Sequence, residues 1–182
     1  HPVMGYLDEE AGPYSTFSYY APDRRYGVPE DFARLVNELH KENIGVILDW
    51  TPAHFPRHGE GLERFDGTPL YEIPDPAMAV HPMWGTLLYN YESPMVKEFL
   101  IANAFYWTEV YHVDGFRVDD VDSMLYLDYG KRGRKLAAKS LRNQRKPGGS
   151  RISEASEFSY EEKAPRCSYD RSGGRTVAGA YR

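Results

Sequence analysis

The chain has a single cysteine, Cys167, among its 182 residues. An internal disulfide is therefore impossible, and no Cys/His grouping has the spacing of a structural zinc site. It also lacks any apolar run long enough to cross a bilayer, and no charged-then-apolar leader follows His1. A soluble protein without a membrane partner is expected, and a cytoplasmic location with it. There is no glycine-rich phosphate loop and no Gly-x-Ser-x-Gly turn, so neither a bound nucleotide nor a serine nucleophile of that type is indicated. No cofactor is expected. Asp49, His54 and His58 could in principle ligate a metal, but their spacing matches no familiar pattern, and none is expected.

Basic residues are scarce over most of the chain and crowded at its end. Residues 1–129 carry 8 Lys+Arg against 22 Asp+Glu, whereas residues 130–182 carry 14 against 5. The overall charge of −5 thus conceals segments of −14 and +9. Such asymmetry commonly marks a nucleic-acid-binding tail. Here the basic segment has only Leu136, Leu141, Ile152, Phe158 and Val177 as Leu, Ile, Val or Phe, too few to bury a core. Residues 132–182 are expected to be a disordered basic tail, and nucleic acid is not expected as a partner.

What the chain does contain is an alternation of helical and strand patterns. In residues 29–42, Phe32, Leu35, Val36 and Leu39 fall on one helical face, with Pro29, Glu30 and Asp31 suited to the first turn. The run Gly45-Val46-Ile47-Leu48-Asp49-Trp50 is apolar without alternation, as in a strand buried on both faces, and it delivers Asp49 near its carboxyl end. A second helix over residues 94–110 is expected to bury Met95, Phe99, Ala102 and Tyr106. The strand Gly115-Phe116-Arg117-Val118-Asp119 follows. Side chains two apart on a strand share a face, so Arg117 and Asp119 point together, and a carboxylate beside a fixed guanidinium is expected to stay ionised, as suits a nucleophile.

Helix-then-strand units ending in functional groups describe an α/β sheet or barrel with its site on the carboxyl rim. Between the units, residues 51–93 hold Phe55, Phe65, Tyr71, Trp84, Tyr89 and Tyr91. In so long a loop these rings suit sugar faces or a small satellite core. From the residues alone, Asp49, His54, Arg117 and Asp119 suit a glycoside-bond enzyme.

At these positions the chain resembles the α-amylase superfamily (glycoside hydrolase family 13). Asp49-Trp50-Thr51-Pro52-Ala53-His54 is similar to the motif after the third barrel strand, and Gly115 to Asp119 to the motif on the fourth. Tyr19-Tyr20-Ala21-Pro22, Arg25-Tyr26-Gly27, Phe65 to Tyr71, His81-Pro82, Trp84-Gly85-Thr86 and Ser123 to Tyr129 narrow the resemblance to 1,4-α-glucan (glycogen) branching enzymes. It implies a partial (β/α)8 barrel, built around the third and fourth units, in residues 1–131. It further implies Asp119 as the catalytic nucleophile. Arg117, Asp49, His54 and Tyr14 would be substrate-binding residues, Tyr14 by stacking on a sugar. The implied partner is an α-glucan, in which an α-1,4 bond is cleaved and the released segment is transferred to a 6-hydroxyl. Around Tyr14 the sequence departs from the family pattern. So do Asp120 and Asp122, which stand where small residues are usual and add negative charge beside Asp119.

The resemblance ends near residue 131, before the general-acid Glu and the later Asp that the family carries. A shifted reading frame over residues 132–174 could encode the helix expected there. The coding nucleotides decide this. A whole barrel needs about 250 residues, so the chain is expected to be an incomplete barrel with unpaired edges and part of its apolar interior exposed, which weighs against autonomous folding and full activity. The alternatives are an α-glucan hydrolase using the same residues, and a noncatalytic, truncated glucan-binding product.

Overall fold

A computed structural model describes residues 2–7 and 9–126, and further on the backbone of two short strands at 167–169 and 175–177. Strands β1 (Met4–Tyr6) and β2 (Thr16–Pro22) form an antiparallel ribbon. A 3-10 turn, Arg24–Tyr26, and helix α1 (Pro29–Lys41) lead to β3 (Ile47–Trp50). The long connection holds β4 (His54–Phe55), α2 (Pro76–Ala79) and β5 (Leu87–Leu88), with β4 and β5 paired antiparallel. Helix α3 (Pro94–Val110), β6 (Gly115–Val118) and α4 (Val121–Leu125) complete the continuous part.

Helix α1 begins as its sequence requires. Pro29 occupies the first turn, where a missing N–H costs nothing, and the Asp31 carboxylate accepts a hydrogen bond from the Val28 N–H at 3.0 Å. Asn43, at φ 58°, ends it in a left-handed turn that asparagine tolerates. The chain then enters β3, which lies parallel to β6 with Asp49 opposite Arg117 and Trp50 opposite Val118. A parallel pair cannot be closed by a tight turn, and α3 supplies the crossover. Asp114 fastens the entrance to both strands: its carboxylate accepts from the Val46 N–H at 2.7 Å and lies 2.8 Å from His40 Nε2.

The core is continuous, running from Met4 and Tyr19 through Leu48, Trp50 and Phe55 to Leu100, Trp107, Phe116 and Met124. Its polar centre is Asn103, fully buried on α3. The Asn103 amide accepts from Trp50 Nε1 at 2.8 Å and donates to the Tyr19 carbonyl at 2.5 Å, which also accepts from Trp107 Nε1 at 2.9 Å. These bonds join β2, β3 and α3 and leave the amide satisfied, as a buried polar group must be.

The buried face of α3 differs from the expected one. Val96, Leu100, Asn103, Ala104 and Trp107 are buried, while Met95 is 41% exposed. The helix is apolar nearly all round, so hydrophobic spacing could not fix its rotation. The bonds of Asn103 and Trp107 to Tyr19 did. Strand β3 also begins two residues later than expected, at Ile47.

The sheet containing the site has the order β3-β6-β8-β7, where β7 is Cys167–Tyr169 and β8 is Arg175–Val177. Only β3 and β6 are parallel. β8 pairs antiparallel with β6, and β7 antiparallel with β8. Among the described residues, β3 and β6 are thus the only parallel pair. The six residues of β7 and β8 also correct the expectation of a wholly disordered tail: the exposed edge of β6 presents unpaired backbone groups that a short strand can satisfy without a core of its own. The rest of the expected basic tail, and with it most of residues 132–174 over which a shifted frame is expected, lies outside the described residues. At the other edge, β3 has no neighbour among the described residues. Ile47 and Ile44 beside it, with Leu35 of α1, are 41%, 50% and 54% exposed.

Candidate functional site

Parallel register places the site. Asp49 and Arg117 are partners on adjacent strands and project from the same face at the carboxyl ends of β3 and β6. Arg117 lies between two carboxylates, with one guanidinium nitrogen 3.6 Å from Asp49 Oδ1 and the other 3.2 Å from Asp119 Oδ1. The Asp119 N–H donates to the Trp50 carbonyl at 2.9 Å, so the ladder extends one residue beyond β6 and fixes the backbone of Asp119. Tyr14, from the turn between β1 and β2, donates its hydroxyl to Asp49 Oδ2 at 3.0 Å.

These groups stand at a cleft of about 610 Å³, lined by Tyr14, Arg117, Asp119, His54, Trp84 and Arg57 among others. All five residues expected at the site are thus in one place. Asp49 sits behind the others, bonded to Tyr14 and paired with Arg117. Tyr14, 37% exposed, is edge-anchored through its hydroxyl and keeps part of its ring accessible.

The carboxyl of Asp119 is subject to opposing influences. Burial raises its pKa, and the charges of Asp120 and Asp49 raise it further, while Arg117 opposes the rise by charge and by hydrogen bonding. The net direction is upward. Removal from water outweighs a guanidinium that is shared with a second carboxylate. Asp120 contributes the extra negative charge its position suggested.

His54 is buried, and its pKa is pushed down to about 4, chiefly by removal from water and secondarily by neighbouring His81. Asp120 acts in the opposite direction. The ring is consequently neutral above that pH. Because the unfolded chain binds a proton near the ordinary value of 6.5, His54's contribution to stability is complete above pH 6.5 and is lost as the pH falls toward 4. Over that window the loss should be about 3 kcal/mol. The urea midpoint of the chain is expected to fall across pH 6.5 to 4, and to fall less in His54→Gln. Equal pH slopes in the two chains would contradict this.

The loop aromatics divide between the two roles the sequence left open. Phe55, Tyr89 and Tyr91 are buried in the core, Tyr71 packs against it, and Phe65 is 64% exposed. Trp84, 62% exposed, lines the cleft. The sequence did not single out His81 or the buried Asp120 carboxylate as partners, although His81 Nε2 lies 3.1 Å from Asp120 Oδ2. Their pairing joins a loop to a residue thirty-nine positions away, which local pattern cannot reveal. Among the described residues, no group of three or more His, Cys, Asp or Glu side chains is placed to hold a metal ion, and no helix is long and apolar enough to cross a membrane.

No protein-family model matches the chain. Individual relatives do. It is 60% identical over 119 residues to the 1,4-alpha-glucan branching enzyme of Butyrivibrio fibrisolvens, covering 65% of this chain and 19% of that protein. It is 57% identical over 118 residues to the one from Thermobifida fusca, covering 65% and 16% respectively. Among solved structures, a putative alpha amylase from Salmonella typhimurium superposes with a TM-score of 0.57 at 28% identity, over 67% of this chain and 20% of that one. The alpha-amylase of Geobacillus thermoleovorans, solved with acarbose, superposes with a TM-score of 0.51 at 25% identity, over 68% and 31%. The chain spans less than a fifth of the length of those two sequence relatives.

Proposed function

We propose that this chain, about two thirds of which is homologous to a segment of 1,4-alpha-glucan branching enzymes, carries the nucleophile side of a glucan-branching site. Asp119 attacks the anomeric carbon of an α-1,4-linked glucan. The bond from that carbon to the glycosidic oxygen breaks, and its electron pair leaves with the oxygen. The departing 4-hydroxyl must gain a proton from a general acid. A glucan 6-hydroxyl then attacks the glycosyl ester, the bond to Asp119 breaks, and the proton of the 6-hydroxyl passes to a base. Two displacements return the anomeric centre to its starting configuration and yield an α-1,6 branch.

Arg117 holds Asp119 at 3.2 Å and offsets part of the cost of ionising it in a partly buried place. Asp49, oriented by Tyr14 and Arg117, is suited to accept from sugar hydroxyls, and neutral His54 can donate to or accept from them. The single observation that carries this reading is the Asp49–Arg117–Asp119 row on two parallel strands, with Arg117 and Asp119 lining a cleft of about 610 Å³ and Asp49 behind them. The test is linkage analysis of products formed from an activated maltooligosaccharyl donor and a long glucan acceptor. New α-1,6 linkages are expected to form, but slowly, since the glycosyl ester waits on a base to activate the incoming 6-hydroxyl.

A hydrolase would instead pass the glycosyl group to water, a reading favoured by the alpha-amylases among the structural neighbours. Free reducing sugar without α-1,6 linkages would support it. The level of sequence identity favours branching, since the branching enzymes match at twice the identity of the amylases.

A further inference from the structure

The turn that carries Trp84 into the cleft is organised around one buried side chain. His81 accepts the backbone N–H groups of Met83 and Trp84 on its Nδ1, at 3.3 and 3.2 Å. Its own N–H donates to the Thr86 carbonyl at 2.8 Å, and its carbonyl accepts from the Gly85 N–H at 2.9 Å. Gly85 takes φ +69°, a conformation that most side chains avoid, which lets the turn close. A neutral imidazole that accepts at Nδ1 carries its proton on Nε2. That atom lies 3.1 Å from the carboxylate of Asp120, the residue after the proposed nucleophile. Both side chains are more than nine-tenths buried.

The Trp84 ring stacks on the His81 ring, with centroids 6.2 Å apart and planes 25° from parallel. One indole face is thereby supported while the residue stays 62% exposed at the cleft. A flat, supported, half-open indole is the surface on which the C–H face of a pyranose ring packs, and glucans present such faces in series. The other two tryptophans, Trp50 and Trp107, are buried in the core.

We infer that Trp84 is a binding platform for a glucan ring, and that Asp120 positions it through His81. This rests on the glucan reading of the cleft given above. The Asp120 carboxylate faces Nε2 at 3.1 Å without hydrogen-bond alignment, and its negative charge favours the proton on that nitrogen; the tautomer leaves Nδ1 free to gather the two N–H groups of the turn, and the gathered turn sets the indole. Asp120 and His81 are positioning residues. Trp84 is the group that touches sugar. Asp120 has a second, separable effect, because its charge raises the pKa of Asp119. Asparagine at position 120 keeps a partly negative oxygen facing Nε2 and tolerates the left-handed backbone there, φ 53°, but removes the full charge. Alanine removes both.

The test uses the purified 182-residue chain and maltoheptaose. Iodide quenches exposed indoles, so Trp84 dominates the quenchable fluorescence of the three tryptophans. Maltoheptaose is expected to protect it in the unmodified chain. Asp120→Ala should lose the protection and weaken maltoheptaose binding about tenfold, as should Trp84→Ala, while Asp120→Asn should stay within about threefold of the unmodified chain. Both Asp120 variants should shift the acid limb of covalent labelling of Asp119 by α-maltosyl fluoride to lower pH, which separates charge from positioning. If maltoheptaose binds by calorimetry without protecting Trp84, the platform is wrong while the glucan reading stands. If Asp120→Asn loses protection as fully as Asp120→Ala, with unchanged circular dichroism, the tautomer link is wrong. No maltoheptaose binding by the unmodified, folded chain would overturn both the platform and the glucan reading beneath it.

Discussion

Asp119→Ala is expected to abolish covalent labelling of the chain by α-maltosyl fluoride, while the unmodified chain accumulates a maltosyl ester on Asp119. Fluoride departs without needing a proton, so this donor isolates the nucleophile from the general acid. The attacking oxygen is held by Arg117 at 3.2 Å, on a backbone fixed by the Asp119 N–H to Trp50 bond. No other carboxylate lines the cleft among the described residues. Removing the nucleophile should therefore cost about a thousandfold or more in labelling rate, with no neighbour positioned to substitute. The ester should persist, because its breakdown needs a base to activate the incoming hydroxyl. Intact-mass measurement and peptide mapping across β6 read the result directly. A label on another residue, or equal labelling of Asp119→Ala, would sink the assignment.

The pH profile of labelling carries the sign of Asp119's environment. The nucleophile must be ionised, and burial raises its pKa above the ordinary 3.8. Labelling is expected to be complete at neutral pH and to decline on acidification from a higher pH than an exposed aspartate would give.

The second large effect is a gap between donors. The 182-residue chain is expected to turn over amylose some 100- to 10,000-fold more slowly than the maltosyl fluoride data would imply for a site with a proton donor. Expelling a glucose 4-hydroxyl requires protonation in the transition state. Among the described residues lining the cleft, Asp119 is the one carboxylic acid, and its task is attack. His54 is no replacement, since with a pKa of about 4 it holds almost no transferable proton at neutral pH. Initial rates on amylose, followed by iodine absorbance and by reducing ends, measure the gap. Comparable rates on the two donors would show that this chain supplies its own acid and would refute the division of labour proposed here.

Much of this was legible from residue order because it depends on local physics. Pro29, Asp31 and Asn43 announce the ends of α1 through backbone rules that act over a few residues. Two apolar runs, each carrying a carboxylate toward its end, identify β3 and β6 and the rim on which Asp49 and Asp119 stand. Hydrophobic spacing failed on α3 because a helix apolar on most sides has no preferred rotation until a partner chooses one. The Asn103 and Trp107 bonds to Tyr19, more than eighty residues distant, made that choice.

The sequence by itself determined the chemistry available: two apolar strand runs each carrying a carboxylate toward its carboxyl end, with Arg117 and Asp119 two apart and so on one face. Only the tertiary structure decided how that chemistry is tuned. Burial, which no residue order encodes locally, turned Asp119 toward a higher pKa despite its guanidinium. The same packing brought Asp120 against His81, and so tied the strand bearing the nucleophile to the loop that presents Trp84. Desolvation and long-range contact depend on what the rest of the chain places around a residue, and so they appear only once the chain is folded.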